Sequence, residues 1–361
     1  MELTHDDRIA SRRVPGTMLE SMTSATTTNP EPNPGIIFET LNAYQRSAAL
    51  KAAIELDVFS KIAEGHRTAD AIAKAAGASS RGIRILCDFL VIIGFLSKNK
   101  DEYSLSVDSA MFLDRKSPAY FGGTVNFLLD PRLTAAYADF TEVVRSGRTT
   151  LPNEGTVSHD NPIWVQFAKE MMPMMAPAAA EIAELVAGEG KIKVLDVAAG
   201  HGIFGITIAQ RNPEAHITAL DWPNVLSVAT ENAKKCGVAD RHTTLPGDAF
   251  EVDLGGPYDL ILITNFLHHF DPPTCEKLIR RFHAALAPGG RCVTLEFVPN
   301  DDRISPPIQA SFSVMMLAST IGGDAYTFSE YEAMFRNAGF ASSQFQALKY
   351  APQAVILSTK L

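Results

Sequence analysis

The strongest chemical signal in the chain is an apolar run that ends in a carboxylate and breaks into a glycine-bearing turn. Val194-Leu195-Asp196-Val197 leads into Ala198-Ala199-Gly200-His201-Gly202. Gly200 and Gly202 let backbone approach a ligand with no Cβ in the way, and the helix that follows turns free N–H groups toward the same place. With Gly205 the segment spells GxGxxG, the string of a dinucleotide site. Asp196 argues against that reading. It would repel a pyrophosphate, and no Lys or Arg stands between Val194 and Gln210 to offset it. A cofactor carrying an ammonium and a sulfonium is favoured by the same charge, and S-adenosylmethionine (SAM) is such a cofactor.

Three further runs end in polar groups. Asp221 closes His216 to Leu220 one helix and one strand after Asp196, the place from which a carboxylate takes both ribose hydroxyls; Trp222 follows it. Thr243 to Pro246 leads into Gly247-Asp248-Ala249-Phe250, where Asp248 can accept from an adenine amino group and Phe250 can cover the base. Tyr258 to Thr264 runs into Asn265-Phe266-Leu267-His268-His269. Each Asp alone is as well explained by a turn or a cap. Their recurrence at successive strand ends favours a ligand, because open parallel sheets bind outside the carboxyl ends of their strands. The expected cofactor contacts are Asp196, Ala198, Gly200, Gly202, Asp221, Trp222, Asp248, Phe250 and Thr264.

These motifs need elements to hold them. From Lys191 onward strands and helices alternate, which predicts a parallel-rich sheet flanked by helices. Residues 116–186 read as mostly helical, with Trp164, Phe167, Met171 and Met175 near one face and Pro173 and Pro177 splitting or kinking the helix. Residues 35–115 show short helices, then a helix from Arg81 to Gly94 and a hairpin from Leu96 to Ser104, the order of a winged helix. Residues 1–34, rich in Ser, Thr, Pro and Asn, are expected to form a disordered or loosely held tail.

Composition bounds the function. The chain has 361 residues, 46% hydrophobic and 20% charged, with a net charge of −9. Phosphate backbones demand a basic face, so nucleic acid is not the expected partner. The winged helix agrees: between Arg81 and Gly94 only Arg81, Arg84 and Asp88 are polar, too few to read bases. No apolar leader or membrane span is expected, since Arg84 and Asp88 break the longest apolar run. Cys87, Cys236, Cys275 and Cys292 lack metal-ligand spacing and read as buried free thiols, so a cytoplasmic protein without a metal is expected.

Several motifs in order resemble the small-molecule O-methyltransferases of the plant caffeate and acetylserotonin type and their bacterial pigment- and polyketide-tailoring relatives. They are Leu195-Asp196-Val197 with its glycine turn, Leu220-Asp221-Trp222-Pro223, Gly247-Asp248-Ala249-Phe250, Leu267-His268-His269-Phe270, Gly289-Gly290, Leu295-Glu296 and Gly322-Gly323, within a match from Ile36 to the C-terminus. The resemblance implies an α/β fold, a Rossmann-like class I methyltransferase sheet of seven strands (residues 187–361) behind a winged-helix dimerisation domain, and a homodimer acting on a small-molecule acceptor with SAM. It implies His268 as catalytic base and Glu296 as an acid beside it. It also implies a substrate pocket lined by the two Met-rich segments, hence by Trp164, Phe167, Met171, Met175, Phe312 and Met316. Imidazole suits the task, as the side chain whose ordinary pKa lies nearest neutrality.

The chain departs from the family at three places. Ala198 and Ala199 stand where glycines are usual, and His269 stands where plant members have Asp, so either imidazole can face the substrate. Ala325 occupies the place of the second family acid, so either Asp324 replaces it by a one-residue shift or the site works without it. That last departure keeps carbon or nitrogen methylation, or SAM use without methyl transfer, beside hydroxyl methylation as readings. An NAD(P)-dependent oxidoreductase and a winged-helix regulator are the remaining alternatives.

Overall fold

The computed structural model describes residues 32–153, 155–157 and 161–361; of the expected tail, residues 1–31 lie outside the described residues. The chain divides into a unit ending at Gln45 and a unit from Arg46 to Leu361. In the first, helix α1 (Gly35–Asn42) carries Ile36, Ile37, Phe38 and Leu41, all exposed.

The second unit opens with most of α2 (Tyr44–Glu55), then α3 (Val58–Ala63), α4 (Ala69–Ala76) and α5 (Ser80–Ile92). Thr68 and Ser79 start α4 and α5 by accepting from Ala71 N and Gly82 N, the usual service of a hydroxyl N-cap. The hairpin β1 (Leu96–Asn99) and β2 (Glu102–Leu105) and helix α6 (Val107–Phe112) complete the winged helix. Its core includes Ile54, Phe59, Ile72, Ile83, Cys87, Leu90 and Tyr103. Phe89, Val91 and Ile93 are half-buried, and Ile83 is only 1% exposed, so it is core rather than surface for a partner; Ile85 (44%), Ile92 (77%) and Val107 (81%) are what this domain leaves open.

Helices α7 (Val125–Leu128), α8 (Pro131–Thr134), α9 (Phe140–Ser146), α10 (Ile163–Glu170) and α11 (Met172–Val186) follow. The expected Met-rich helix is split at Met171, which caps both α10 and α11; Pro173 falls in the first turn of α11, where its missing N–H is harmless, and Pro177 lies inside it.

The sheet is built from β3 (Ile192–Val197), β4 (Ala215–Asp221), β5 (His242–Pro246), β6 (Tyr258–Thr264), β7 (Leu286–Glu296), β8 (Ser342–Ala347) and β9 (Ala354–Thr359), in the order β5-β4-β3-β6-β7-β9-β8. All neighbours are parallel except at β9, which runs against β7 and β8. Helices α12 (Ile203–Arg211), α13 (Pro223–Lys235), α14 (Pro272–Ala285), α15 (Pro307–Ser319) and α16 (Phe328–Asn337) connect the strands, and α11, α12 and α14, α16 contribute to two separate apolar cores. Register places Val197 beside Leu220 and Ile263, and Thr264 beside Leu295. Four strands therefore end along one edge.

Among the described residues no helix is long and apolar enough to cross a membrane. Cys87, Cys275 and Cys292 are buried free thiols as expected, whereas Cys236, at the end of α13, is half-buried.

The start of α12 packs tightly on β3 and β4. A Cβ built at Gly205 would lie 2.6 Å from Ile217 Cγ2 and 2.9 Å from Asp196 Oδ2. Gly205→Ala is therefore expected to cost about 1–3 kcal/mol of stability through overpacking. Denaturant unfolding reads this directly, and an unchanged midpoint would mean the helix has room to shift.

Candidate active site

At the carboxyl edge of the sheet, α10, α11 and α15 enclose a cavity of about 700 Å³. Ala198, Gly200, Asp221, Trp222, Asp248, Phe250 and Thr264 line it from the strand ends. Trp164, Phe167, Met171, Met175, Phe312 and Met316 line it from the helices. Two expected cofactor residues do not.

Asp196 is fully buried, and its Oδ2 accepts from Gly205 N at 3.1 Å. Ala198, Gly200 and Gly202 all adopt positive φ, which curls the chain back so that the first turn of α12 lies over the end of β3. The carboxylate thus serves that helix end and not the cavity. Burial, with Asp221 nearby, pushes its pKa up to about 7. Gly202 is a turn maker: a Cβ there would face Ala229 and Ile206, away from the cavity. Between them, His201 is buried, accepts from Ile203 N at 3.2 Å, and is held neutral, its pKa lowered to about 3 by burial. Its ring lies 5.8 Å from Phe167 at 20°, so the turn and α10 are in direct contact.

Asp221 is a carboxylate that the cavity does see. Its Oδ2 accepts from Gly200 N at 2.8 Å and its Oδ1 from Trp222 N at 2.7 Å, leaving further lone pairs for a ligand. Burial pushes this carboxyl up to about 6 against the help of both N–H groups. Asp248 Oδ1 accepts from Phe250 N at 2.8 Å, and Phe250 stands edge-on to Phe270, 5.2 Å away. Among the described lining residues Asp221 and Asp248 are the charged groups, and none is a Lys or Arg. Acceptors at the strand ends with no cation beside them fit the hydroxyls, amino group and ammonium of SAM and do not fit a pyrophosphate.

The other pole of the cavity is set by Glu296, the last residue of β7. Its Oε1 accepts from Phe266 N at 3.0 Å, Leu267 N at 2.9 Å and His268 N at 3.4 Å, and its Oε2 bonds His268 Nδ1. The carboxylate is fully buried and does not itself line the cavity. It orients His268: Nδ1 carries the proton toward Glu296, so the Nε2 edge is the one left for the cavity. Phe312 stands edge-on to this imidazole at 4.9 Å and stacks on Phe297 at 4.2 Å.

His269 also lines the cavity, so both imidazoles meet it. Asp324 does not stand in for the missing acid: it pairs with Arg303 at 3.3 Å and accepts from Ala325 N, while Ala325 is buried. Gly323 explains its motif, since a Cβ there would lie 2.2 Å from His268 O and 2.8 Å from Thr320 Oγ1.

Sequence reasoning passed over Asn265 and Phe297, each the first residue after a strand that carries a named site residue. Asn265 adopts φ +52, and its Nδ2 meets Met175 Sδ at 3.8 Å. Their position alone was the available signal.

If Asp221 holds the ribose, SAM binding will follow its titration. The carboxyl is raised to about 6, so the charged acceptor is present above that pH and lost below it. SAM affinity is expected to fall as pH drops from 7 through about 5.5, and Asp221→Asn is expected to weaken binding roughly 10- to 150-fold at neutral pH and to flatten the profile. Calorimetric titration of both proteins decides it; a pH-independent wild type would remove Asp221 from the ribose site.

Comparison with known proteins bears on the same chain length. An O-methyltransferase domain model matches residues 138–341 and an O-methyltransferase dimerisation domain model matches residues 38–115. The tetracenomycin polyketide synthesis 8-O-methyl transferase TcmO of Streptomyces glaucescens is 28% identical over 334 residues, covering 91% of this chain and 97% of that protein. A protein of Nostoc punctiforme with a solved crystal structure is 53% identical, with a TM-score of 0.89 over 91% of this chain and 100% of that one. Human N-acetylserotonin methyltransferase, solved in complex with SAM, shares the fold at 23% identity, with a TM-score of 0.80 over 93% of this chain and 99% of that one. The methyltransferase fold, the cofactor-fitting strand ends and these matches together establish that the chain belongs to the SAM-dependent small-molecule O-methyltransferase family.

Proposed function

We propose that this enzyme methylates a hydroxyl group of an uncharged, largely hydrophobic aromatic or polyketide-like molecule, with His268 as general base. The observation that carries the reading is the buried Glu296–His268 pair, whose imidazole faces a cavity that is otherwise aromatic and Met-rich on the acceptor side. SAM, when bound, supplies the electrophilic methyl group. Asp221, Asp248, Trp222, Phe250, Ala198, Gly200 and Thr264 are proposed to hold it at the strand ends. Residues 116–186 would then wall the acceptor and residues 187–361 would carry the cofactor.

His268 Nε2 accepts the proton of the acceptor hydroxyl as the oxygen attacks, and Glu296 steadies the imidazolium that results. Phe167, Met171, Met175, Phe312 and Met316 exclude water and fix the plane of the acceptor. Holding the reacting atoms in line contributes about 7–11 kcal/mol, against roughly 10²–10⁴-fold for the base, so positioning is the larger effect. Hydroxyl methylation is favoured over carbon methylation because a buried carboxylate is committed to keeping one imidazole in the tautomer that accepts a proton.

His268→Ala is expected to lower kcat by about 10²–10⁴-fold with SAM affinity nearly intact. Glu296→Gln keeps an oxygen for the three backbone N–H groups but turns an amide toward Nδ1, and is expected to fold and to lose kcat in the same range. Product formation on a hydroxylated polycyclic arene, followed by mass spectrometry, tests both. Near-full turnover of His268→Ala would overturn the base assignment.

We further propose a homodimer through residues 36–115, in a reducing cytoplasm. The dimerisation domain match and the exposed Ile85, Ile92 and Val107 support it. Light scattering of the full chain is expected to give twice the monomer mass, and Ile92→Glu is expected to shift the population toward monomer. A monomeric wild type would remove the proposal.

A further inference from the structure

The hydrogen bonds of Glu296 fall on one end of the turn that carries the two imidazoles, on the N–H groups of Phe266, Leu267 and His268 and on the His268 ring. They set the direction of that ring. A segment held at one end alone still pivots on that end. Two buried donors hold the other end through its carbonyls. Cys275, on α14, directs Sγ at Leu267 O, 3.2 Å away, and at Phe270 O, 3.5 Å away. Tyr326, in the stretch between α15 and α16, donates its hydroxyl to Phe270 O at 2.6 Å, with Gly322 O next at 3.3 Å. Burial pushes the pKa of both groups up, so each keeps its proton and serves the turn as a donor. The thiol is the weaker donor, which leaves the phenol as the main hold. Phe270 itself lines the cavity and stands edge-on to Phe250 and Phe266, 5.2 Å from each. The carbonyl that Tyr326 holds therefore belongs to the cavity wall.

A pivot about Glu296 would leave the Glu296–His268 bond intact and still carry Nε2 away from the acceptor oxygen. Misplacement by about 1 Å is enough to cost roughly 10²-fold in rate. We infer that Tyr326 is a positioning residue for the base: its hydroxyl pins the Phe270 end of the turn, so that two anchors fix where His268 Nε2 meets the reacting atoms. The inference rests on the proposed role of His268 and adds the group that sets its place. Tyr331 supplies the contrast. It belongs to the same core, its ring meets Tyr326 edge-on at 5.7 Å and 88°, and its buried hydroxyl has no hydrogen-bond partner among the described residues. Of two neighbouring phenols, one is bonded to the turn and one is not.

The same one-atom change at both tyrosines tests this, made in the wild type and in His268→Ala, with methyl transfer to a hydroxylated polycyclic arene followed by mass spectrometry. Tyr326→Phe is expected to lower kcat about tenfold, with the acceptor KM and the SAM affinity within about threefold of wild type. Tyr331→Phe is expected to leave kcat unchanged. In His268→Ala, Tyr326→Phe is expected to cost nothing more, because the group it positions is gone. Cys275→Ala, which removes the weaker donor at the same end of the turn, is expected to give a smaller loss that also vanishes in His268→Ala. Thermal unfolding shows that each variant folds; should Tyr326→Phe not fold, Cys275→Ala carries the test by the same two comparisons. Unchanged kcat in Tyr326→Phe, equal losses in Tyr326→Phe and Tyr331→Phe, or the same fold-loss with and without His268 overturns the inference while leaving hydroxyl methylation standing. Near-full turnover of His268→Ala removes the base assignment and this inference with it.

Discussion

The candidate site depends on one buried carboxylate. Glu296 ends a central strand, and the chain leaving the neighbouring strand passes it as a short 3-10 turn, Leu267–His269. Its two oxygens gather three backbone N–H groups and one imidazole. Remove that carboxylate and the turn keeps three buried donors without an acceptor, a loss on the scale of about 3–5 kcal/mol for a broken buried pair. The same contact fixes the tautomer of His268, so fold and chemistry share one set of hydrogen bonds. Gly323 closes the turn from the opposite side, where no side chain would fit.

Around that anchor the cavity divides by chemistry. The strand ends offer carboxylates and backbone, suited to a ligand rich in donors and positive charge. The helices offer rings and thioethers, suited to a flat uncharged molecule. The two halves are not independent, because His201 in the glycine turn lies against Phe167 in the helical wall. A shift of the turn on one side is felt as a shift of a ring on the other, since packed rings have little room to absorb it.

The departures from family pattern are absorbed locally. Ala198 takes the positive φ that a glycine would adopt more easily, and still lines the cavity. Ala325 is buried, and the carboxylate beside it is turned to Arg303, which also bonds Glu330. The described site thus has one acid behind His268. That one acid already accepts four hydrogen bonds, enough to orient the ring without a second.

The alternation of apolar runs and helical spacing foretold the sheet, the glycine turn and the winged helix, because strand and helix periods are local properties of the chain. The strand-end residues Asp221, Asp248 and Thr264 could be placed at one edge for the same reason. Asp196 could not: whether a strand-end carboxylate faces a ligand or a helix end depends on how three left-handed residues fold the next turn back over it. Ile83 is core while Ile85 and Ile92 of the same apolar helix are open, since which stripe of a helix is covered is decided by the elements packed on it. The roles of neighbouring imidazoles were likewise left open by their adjacency in sequence. What separates them is a carboxylate 28 residues further along and a carbonyl three residues back, and only the tertiary structure brings those partners to one ring and not the other.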